Sequence, residues 1–167
     1  MKKLIALLFV LIPFGIGAQE IKIAIVNQAE IFNVMPDVST VENQLAALHE
    51  QYQKELKIMN DEYTKKFSDY MAQQDSLTEN IKLRRQQDIE DLRTRIENYM
   101  TSAQQDMEKK QMELYAPIQE KIQNAIKAVG EEKGYTYIIN PHPQMILYVG
   151  NSAIDATPFV KTKLGLK

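Results

Sequence analysis

Apolar residues recur along most of this chain with a period of 11, in steps of 4, 3 and 4 residues. A first series has nine apolar or aromatic positions: Val41, Leu45, Leu48, Tyr52, Leu56, Met59, Tyr63, Phe67 and Tyr70. In a second series of 12 only Gln111 is polar: Ile89, Leu92, Ile96, Met100, Ala103, Met107, Gln111, Leu114, Ile118, Ile122, Ala125 and Val129. Because 11 residues complete three helical turns, each series predicts one apolar stripe along a long, nearly straight helix.

A turn is predicted between the two stripes, at the segment "QQDSLTEN" (73–80). Ser76 and Glu79 have the spacing of a capping box, and Asp75 is a rival N-cap. Two long helices joined by so short a turn should lie antiparallel, with each stripe buried against the other. The predicted arms, 37–74 and 77–115, should each extend about 55 Å at 1.5 Å per residue.

The second helical pattern should stop at Lys133-Gly134, but Pro117 interrupts it earlier, and a proline should break or kink a helix. Reflection of the hairpin about its tip places Pro117 opposite residue 34, close to Pro36. Both prolines are therefore expected at the base of the hairpin. Two interpretations of Pro117 stay open: a mobile pivot between arm and base, or a static kink.

The two ends of the chain predict a small strand-containing base. Three segments read as strands: Ile21–Asn27, Tyr135–Asn140 and Gln144–Gly150. A short helix capped by Asn27 should follow the first, and a terminal helix should start with Thr157 as N-cap and Pro158 in the first position. Three short strands that are apolar on both faces leave open sheet edges, so we expect the protein to form an oligomer through these strands. Asp in place of Ile138 should bury an unpaired charge there and dissociate the oligomer.

Residues 1–18 read as a secretory signal peptide: Lys2 and Lys3 precede an apolar run that ends in small residues. With cleavage after Ala18 (or Gly17), the mature chain is expected to be exported and soluble. Loss of both lysines leaves 18 basic against 22 acidic residues, a formal net charge of −4. That balance argues against nucleic-acid binding, which requires a basic face. The chain has no cysteine, so disulfides are excluded.

No motif for catalysis, cofactor binding or metal binding is recognisable, and an enzyme is not expected. His49 lies on the first long helix away from its stripe, and His142 lies between two prolines in a predicted turn. Both are interpreted as solvated residues. The many carboxylates alternate with Lys and Arg at helical spacing, which is typical of a solvated helix face.

Some side chains on the arms fall outside the stripes and are the candidate binding residues. Six are apolar or aromatic: Ile58, Met71, Leu83, Tyr99, Met112 and Tyr115. They either widen the seam between the helices or form a sparse, adaptable contact surface, for which Met and Tyr are well suited. A basic cluster near the tip, Lys82, Arg84 and Arg85, either is plain solvation or contacts acidic clients or lipid phosphates. A peripheral contact of the protein with the membrane or with lipopolysaccharide stays open, without assigned residues.

The order of these segments resembles the Skp/OmpH family of periplasmic chaperones. The resemblance is carried by "IKIAIVNQAEIF" at the start, "IQEKIQNAIKAVGEEKGYTYIIN" near the end, and the corner Asp155-Ala156-Thr157-Pro158. It covers the whole mature chain, although the arms match mainly in length and pattern.

The resemblance implies a mostly α, α+β fold: a coiled-coil helical hairpin (37–116, tip near 75) on a body formed by 19–36 and 117–167. It further implies a homotrimer in the periplasm that holds unfolded outer-membrane β-barrel proteins between its arms without ATP or another cofactor. The best-known members are strongly basic, whereas this mature chain is acidic, so no lipopolysaccharide-binding residue is carried over. The alternative function is a structural coiled-coil spacer of the cell envelope.

Overall fold

A computed structural model describes residues 21–142 and 144–166 of the chain. The predicted signal peptide, 1–18, lies outside the described residues. The elements in chain order are β1 (Ile23–Ile25), α1 (Gln28–Asn33), α2 (Pro36–Gln73), a 3₁₀ turn (Gln74–Ser76), α3 (Glu79–Lys133), β2 (Tyr137–Ile139), β3 (Ile154–Asp155) and α4 (Thr157–Lys163). The predicted α+β fold, mostly helical with one long hairpin, is confirmed.

Helices α2 and α3 form the antiparallel hairpin, and their two stripes face each other. Tyr70, Leu92 and Ile96 are buried in the seam, whereas most other stripe residues of the arms are only half-buried. Polar contacts also cross the seam, two of them at the stripe residues Tyr52 and Tyr70. The Tyr52 hydroxyl donates to the Asp106 carboxylate at 2.5 Å, and the Gln86 amide donates to the Tyr70 hydroxyl at 2.7 Å.

The chain reverses at the predicted place, but both predicted N-caps of the second helix are wrong. Asp75 and Ser76 belong to the 3₁₀ turn that extends the first helix, and the Ser76 hydroxyl donates to the carbonyl of Gln73 at 2.8 Å. Leu77 and Thr78 then adopt extended conformations, and α3 begins at Glu79 with Thr78 in the N-cap position. Two extended residues are needed here because a helical chain cannot reverse its direction without leaving helical dihedral angles.

Pro117 lies inside α3, which continues through it to Lys133. The predicted position of Pro117, at the base of the hairpin near Pro36, agrees with the contacts made by residues just before and just after it. Tyr115 packs its ring against Phe32 at 5.4 Å between centroids, and the Lys121 ammonium is paired with Asp37 just after Pro36. The helix ends as predicted, at Gly134, whose positive φ of 66° is the left-handed conformation that favours glycine.

The body contains a sheet of three parallel strands in the order β2-β1-β3. The predicted strands around Ile23–Ile25 and Tyr137–Ile139 are confirmed, whereas the predicted strand Gln144–Gly150 is wrong. The chain makes a turn at Gln144 and then continues to Gly150 without pairing with any strand of the described residues. Ile154–Asp155 takes the place beside β1, which is thus paired on both sides, and the 144–150 segment stays outside the sheet.

The core of the body is formed by α1, α4 and the proximal ends of the hairpin helices. It contains the lower ends of both stripes together with residues of the sheet and α4: Val26, Ile31, Met35, Val38, Val41, Ile118, Ile122, Ala125, Val129 and Val160. The second stripe therefore keeps its phase across Pro117 and changes its partner from α2 to the body. Such burial supplies most of the stability of a small domain.

The corner before α4 ties the end of the chain to β1. The predicted role of Thr157 as N-cap is wrong, because α4 already includes Thr157, and Ala156 has the N-cap position. The buried Thr157 hydroxyl instead accepts a hydrogen bond from the backbone N–H of Asn27 at 2.9 Å, and Asp155 accepts one from the backbone of Thr157 at 2.9 Å. Asn27 caps α1 as predicted, by accepting from the backbone N–H of Glu30.

Ile138 faces its own chain, unlike its neighbours in β2. Its side chain packs against the core and reaches Gly130 of α3 so closely that a Cβ atom at Gly130 would lie 3.4 Å from the Ile138 Cδ1 atom. Tyr137, by contrast, is 61% exposed. The dissociation expected from Asp at Ile138 stays a prediction, but a charge at this position would also disrupt the fold of the subunit itself.

Candidate binding surfaces of the arms

Four of the six predicted binding residues are exposed on the arms. Ile58 is 60% exposed, Met71 48%, Leu83 57% and Met112 69%. They lie at different heights along α2 and α3, so they form scattered single apolar contacts. Such isolated side chains do not constitute the continuous patch that promotes self-association.

The other two, Tyr99 and Tyr115, are half-buried between the helices. The ring of Tyr99 meets that of Tyr52 edge to face at 6.1 Å between centroids, and Tyr115 packs on the body core beside Phe32. Their position agrees with the alternative in which off-stripe residues widen the seam. Partial burial raises the pKa of the Tyr99 phenol, and the charge of Glu55 adds to the shift.

Several exposed apolar side chains of the arms were missed because they lie on the stripes or at the tip. Phe67 is 46% exposed, Met100 53% and Ile81 44%. A stripe position is expected to be buried, but one partner helix covers only part of an arm's apolar face. The sequence signal that could have identified them is the breadth of the apolar face, since a pair of helices buries a narrower stripe than a larger bundle does.

The three residues of the predicted basic cluster at the tip differ in their exposure and in their contacts. Arg84 is exposed, whereas Lys82 and Arg85 are half-buried. The Arg85 guanidinium donates to the side-chain oxygen of Gln73 at 2.9 Å and so connects the two arms just below the turn. Arg85 also lines a cleft of about 220 Å³ with Asp69 and Asp88, whose carboxylates offset its charge.

A second apolar surface lies on the body, beside the sheet. Met145 is 82% exposed, Leu147 93% and Tyr148 83%, although all belong to the apolar segment 144–150. Next to them a groove of about 740 Å³ is lined by residues of β1, β3 and this segment, including Ile21, Ile23, Tyr148 and Ile154. Apolar side chains this exposed, next to an open sheet edge, are typical of a surface that another chain covers.

The two histidines have no partners that suggest chemistry. His49 lies on the rim of a cavity in the arm, and the His142 ring accepts a long hydrogen bond from the backbone of Gln144 at 3.4 Å. Across residues 21–142 and 144–166, no group of three or more His, Cys, Asp or Glu side chains could hold a metal ion. In the same part of the chain, no helix combines the length and apolarity needed to cross a membrane.

Two known proteins resemble this chain in sequence, and one solved structure resembles it in fold. A chaperone protein Skp of Yersinia enterocolitica is 28% identical over 124 residues, 74% of this chain and 76% of its own. That of Photorhabdus laumondii is 28% identical over 143 residues, 84% and 87% of the two chains. The crystal structure of an OmpH-like outer membrane chaperone from Caulobacter crescentus superimposes with a TM-score of 0.73 over 86% of this chain and 83% of its own. Because its identity is 12%, that likeness concerns the fold alone.

The sequence model of one family matches nearly the whole described chain. The match begins at residue 22, in front of β1, and ends at residue 164, directly after α4. It therefore includes the body and both arms, with the hairpin inserted between the two halves of the sheet. This chain belongs to the OmpH-like outer membrane protein family.

Proposed function

We propose that this protein is an ATP-independent holdase chaperone of the periplasm, which binds unfolded outer-membrane β-barrel proteins between the arms of a homotrimer and prevents their aggregation. The observation that carries the proposal is the distribution of apolar side chains on the arms. Ile58, Met71, Leu83 and Met112 are exposed on a hairpin that has little core of its own. Because the two-helix seam leaves these side chains exposed, they are available for contact with another polypeptide.

Binding without an energy source requires many weak contacts. Each exposed apolar side chain buries a modest area against a client, and several contacts on several arms add up to a useful affinity. Because each contact is weak, the client can also leave. The relatives named chaperone protein Skp support the proposed activity, and the family itself is not one of enzymes.

The exposed apolar surface of the body supports the proposed assembly. Tyr137, Leu147 and Tyr148 lie on or beside the small sheet and are all more than half exposed in one subunit. Contact with neighbouring subunits would remove these side chains from water and cover the open edges of the sheet. Three hairpins would then extend from one body.

The test is the suppression of aggregation. An unfolded outer-membrane β-barrel protein is diluted from denaturant in the presence of the mature chain from Gln19, and light scattering is recorded. We expect scattering to fall as the chaperone approaches the client concentration, without added nucleotide. An isolated two-helix coiled coil of similar length and charge serves as the control. If the mature protein suppresses scattering no better than this control, the alternative function as an envelope spacer is favoured.

A further inference from the structure

A cavity opens between the two arms about halfway along the hairpin. Its volume is about 330 Å³, and it lies between one face of α2 and one of α3. The lining residues are His49, Tyr52, Gln53, Leu56, Tyr99, Met100, Ala103, Gln104 and Met107. Binding cavities for small ligands have volumes of about 300–1,000 Å³, so this one is suited to a single side chain.

The cavity arises from one small residue in the second stripe. Ala103 occupies a position where the neighbouring stripe residues are Met100 and Met107, and its methyl group leaves the space unfilled. The facing Tyr52 does not close the gap, because its hydroxyl is held by Asp106 at 2.5 Å and its ring lies against that of Tyr99. The cavity is therefore preorganised by a hydrogen bond and an aromatic pair.

The lining chemistry favours an aromatic occupant. Met100, which is 53% exposed at the mouth, and Met107 present flexible, polarisable thioethers, which make favourable contacts with aromatic rings. The rings of Tyr52 and Tyr99 add the edges and faces with which a further ring can pack. The amides of Gln53 and Gln104, one on each helix, can bond the backbone of the same client residue.

The charges around the cavity restrict the neighbours of that residue. The lining itself contains neither carboxylates nor Lys or Arg side chains. On the rim the Gln104 amide donates to the Glu108 carboxylate at 3.1 Å, and Glu108 belongs to none of the ion pairs of the described residues. On the other side, the nearby charge of Glu55 contributes to the raised pKa of Tyr99, after partial burial. The two carboxylates of Glu108 and Glu55 thus lie near a cavity whose lining is apolar apart from His49, Gln53 and Gln104.

We propose that this cavity binds one aromatic side chain of an unfolded client, and that it selects aromatic residues flanked by Lys or Arg over those flanked by Asp or Glu. The inference rests on the proposed function and adds a sequence preference to it. Its ligand is a short stretch of extended polypeptide, of which one ring enters the cavity while the basic neighbours lie near Glu108 and Glu55.

Short peptides with one central Trp test the proposal directly. The chain contains no tryptophan, so the emission of the peptide reports its binding without background. Three peptides differ only in the flanking residues, which are Lys, Ala or Glu. At low ionic strength we expect the Lys-flanked peptide to bind at least tenfold more tightly than the Glu-flanked one, with a blue shift of its emission. Equal affinity for these two peptides overturns the proposed selectivity.

Variants separate the cavity from general attraction between a basic peptide and an acidic protein. Ala103→Leu fills the cavity, and we expect the affinity for the Lys-flanked Trp peptide to fall at least tenfold. Ala72→Leu introduces the same group at an exposed position near the tip and should leave the affinity unchanged. Glu108→Gln should reduce the preference for Lys over Glu and retain the blue shift. If Ala103→Leu binds the peptide as the wild type does, the cavity is not the binding site.

A second cavity variant covers the case in which leucine overpacks the seam. Met100→Ser removes an exposed apolar group at the mouth and adds no volume, so its helical circular dichroism should be that of the wild type. It too should weaken peptide binding, and unchanged binding again rejects the cavity. The peptide experiment and the aggregation assay test different claims. If both variants bind the peptide normally while the wild type suppresses aggregation, the proposed cavity site is refuted and the proposed chaperone function is retained.

Discussion

The Tyr52 hydroxyl donates a 2.5 Å hydrogen bond to the carboxylate of Asp106, which lies 54 residues later and on the other arm. Towards the tip, the Gln86 amide donates to the Tyr70 hydroxyl across the same seam. A stripe that repeats every 11 residues pairs almost equally well after a shift along the helix, because apolar contacts are not directional. Specific polar pairs between helices can fix one register, and we infer that these two do so here.

Replacement of Tyr52 by Phe should therefore lower the melting temperature of the protein modestly. The change removes one hydrogen bond, leaves the Asp106 carboxylate half-buried beside an apolar ring, and keeps the aromatic contact with Tyr99. Thermal unfolding followed by circular dichroism measures the effect. Tyr63→Phe is the matched control, since the ring of Tyr63 stacks on Phe67 at 6.2 Å and should still do so without its hydroxyl.

The same hydrogen bond predicts a dependence on alkaline pH. Donation to Asp106 raises the pKa of Tyr52, with partial burial and the Asp106 charge adding to the shift. A phenol whose pKa is higher in the folded state contributes stability that is complete below its unfolded pKa, near 10, and is lost as pH rises through the folded value. The difference in stability between wild type and Tyr52→Phe should therefore shrink above about pH 10, and a constant difference would contradict the assignment.

Pro117 costs helix stability at the junction of arm and body. Proline cannot donate to the carbonyl of Glu113, and it is about 3 kcal/mol less favourable than alanine inside a helix. Pro117→Ala should therefore stabilise the protein by up to about 3 kcal/mol in chemical unfolding. If Pro117 is a mobile pivot, the stabilised variant should also suppress aggregation less well. Unchanged suppression would favour the static interpretation, and no gain in stability would mean that the body imposes the helix path regardless of the proline.

Helical periodicity predicted the hairpin well because it is a local property. Both stripes, the reversal near residue 75, the end of α3 at Gly134 and the cap at Asn27 follow from neighbouring residues and appear in the structure. The capping residues of α3 were mispredicted because Ser76 has two backbone groups within reach. Its hydroxyl bonds to Gln73 behind it, and the sequence does not distinguish that bond from one to the residues ahead.

The pairing of the sheet and the exposure of the candidate binding residues depend on distant contacts, so the sequence predicts them less well. The segment Gln144–Gly150 has the composition of a strand, but β1 is paired with β2 and β3 instead, and this segment stays outside the sheet. Likewise, Met71 and Tyr115 look equivalent as off-stripe residues, yet Tyr115 reaches Phe32 of α1 because α3 passes beside the body at that height. Such outcomes depend on which elements meet, and a local pattern does not contain that information.

The proposed trimer predicts opposite effects for two adjacent residues of β2. Tyr137 is 61% exposed, whereas Ile138 packs on the core of its own subunit. Tyr137→Asp should give a helical, folded monomer, because it places a charge in the proposed interface and leaves the subunit core intact. Ile138→Asp should instead reduce the amount of folded protein. Sedimentation equilibrium at micromolar concentration, with circular dichroism, distinguishes the two, and a monomeric wild type would refute the assembly.

The length of the arms should be adjustable without loss of register. Deletion of 53–63 from α2 together with 89–99 from α3 removes one 11-residue repeat from each stripe. The deleted segments lie between the Tyr52–Asp106 and Tyr70–Gln86 contacts, so both contacts are retained. The arms should become about 16 Å shorter. We expect an intact oligomer that protects only smaller clients, and dissociation of this variant would show that the arms contribute to assembly.

Mutation of the four exposed off-stripe residues should affect client protection, whereas mutation of the two half-buried ones should affect the stability of the fold. Replacement of Ile58, Met71, Leu83 and Met112 by Ser removes about 1–2 kcal/mol of potential burial against a client at each site. Since these side chains are exposed, we expect unchanged helicity and melting temperature but poor protection of an unfolded β-barrel protein. Protection equal to that of the wild type would reject them as the client surface.

Tyr115→Ser provides the contrasting variant. This residue packs on the body core and on Phe32, so its replacement should destabilise the fold, by less than the roughly 3–5 kcal/mol lost when a fully buried aromatic residue is truncated. The salt dependence of protection then identifies the force that holds the client. If apolar contacts dominate, wild-type protection should change little as salt is raised to several times the physiological concentration. A steep loss would instead indicate attraction by charge, with Lys82 and Arg84 at the tip as the first residues to replace.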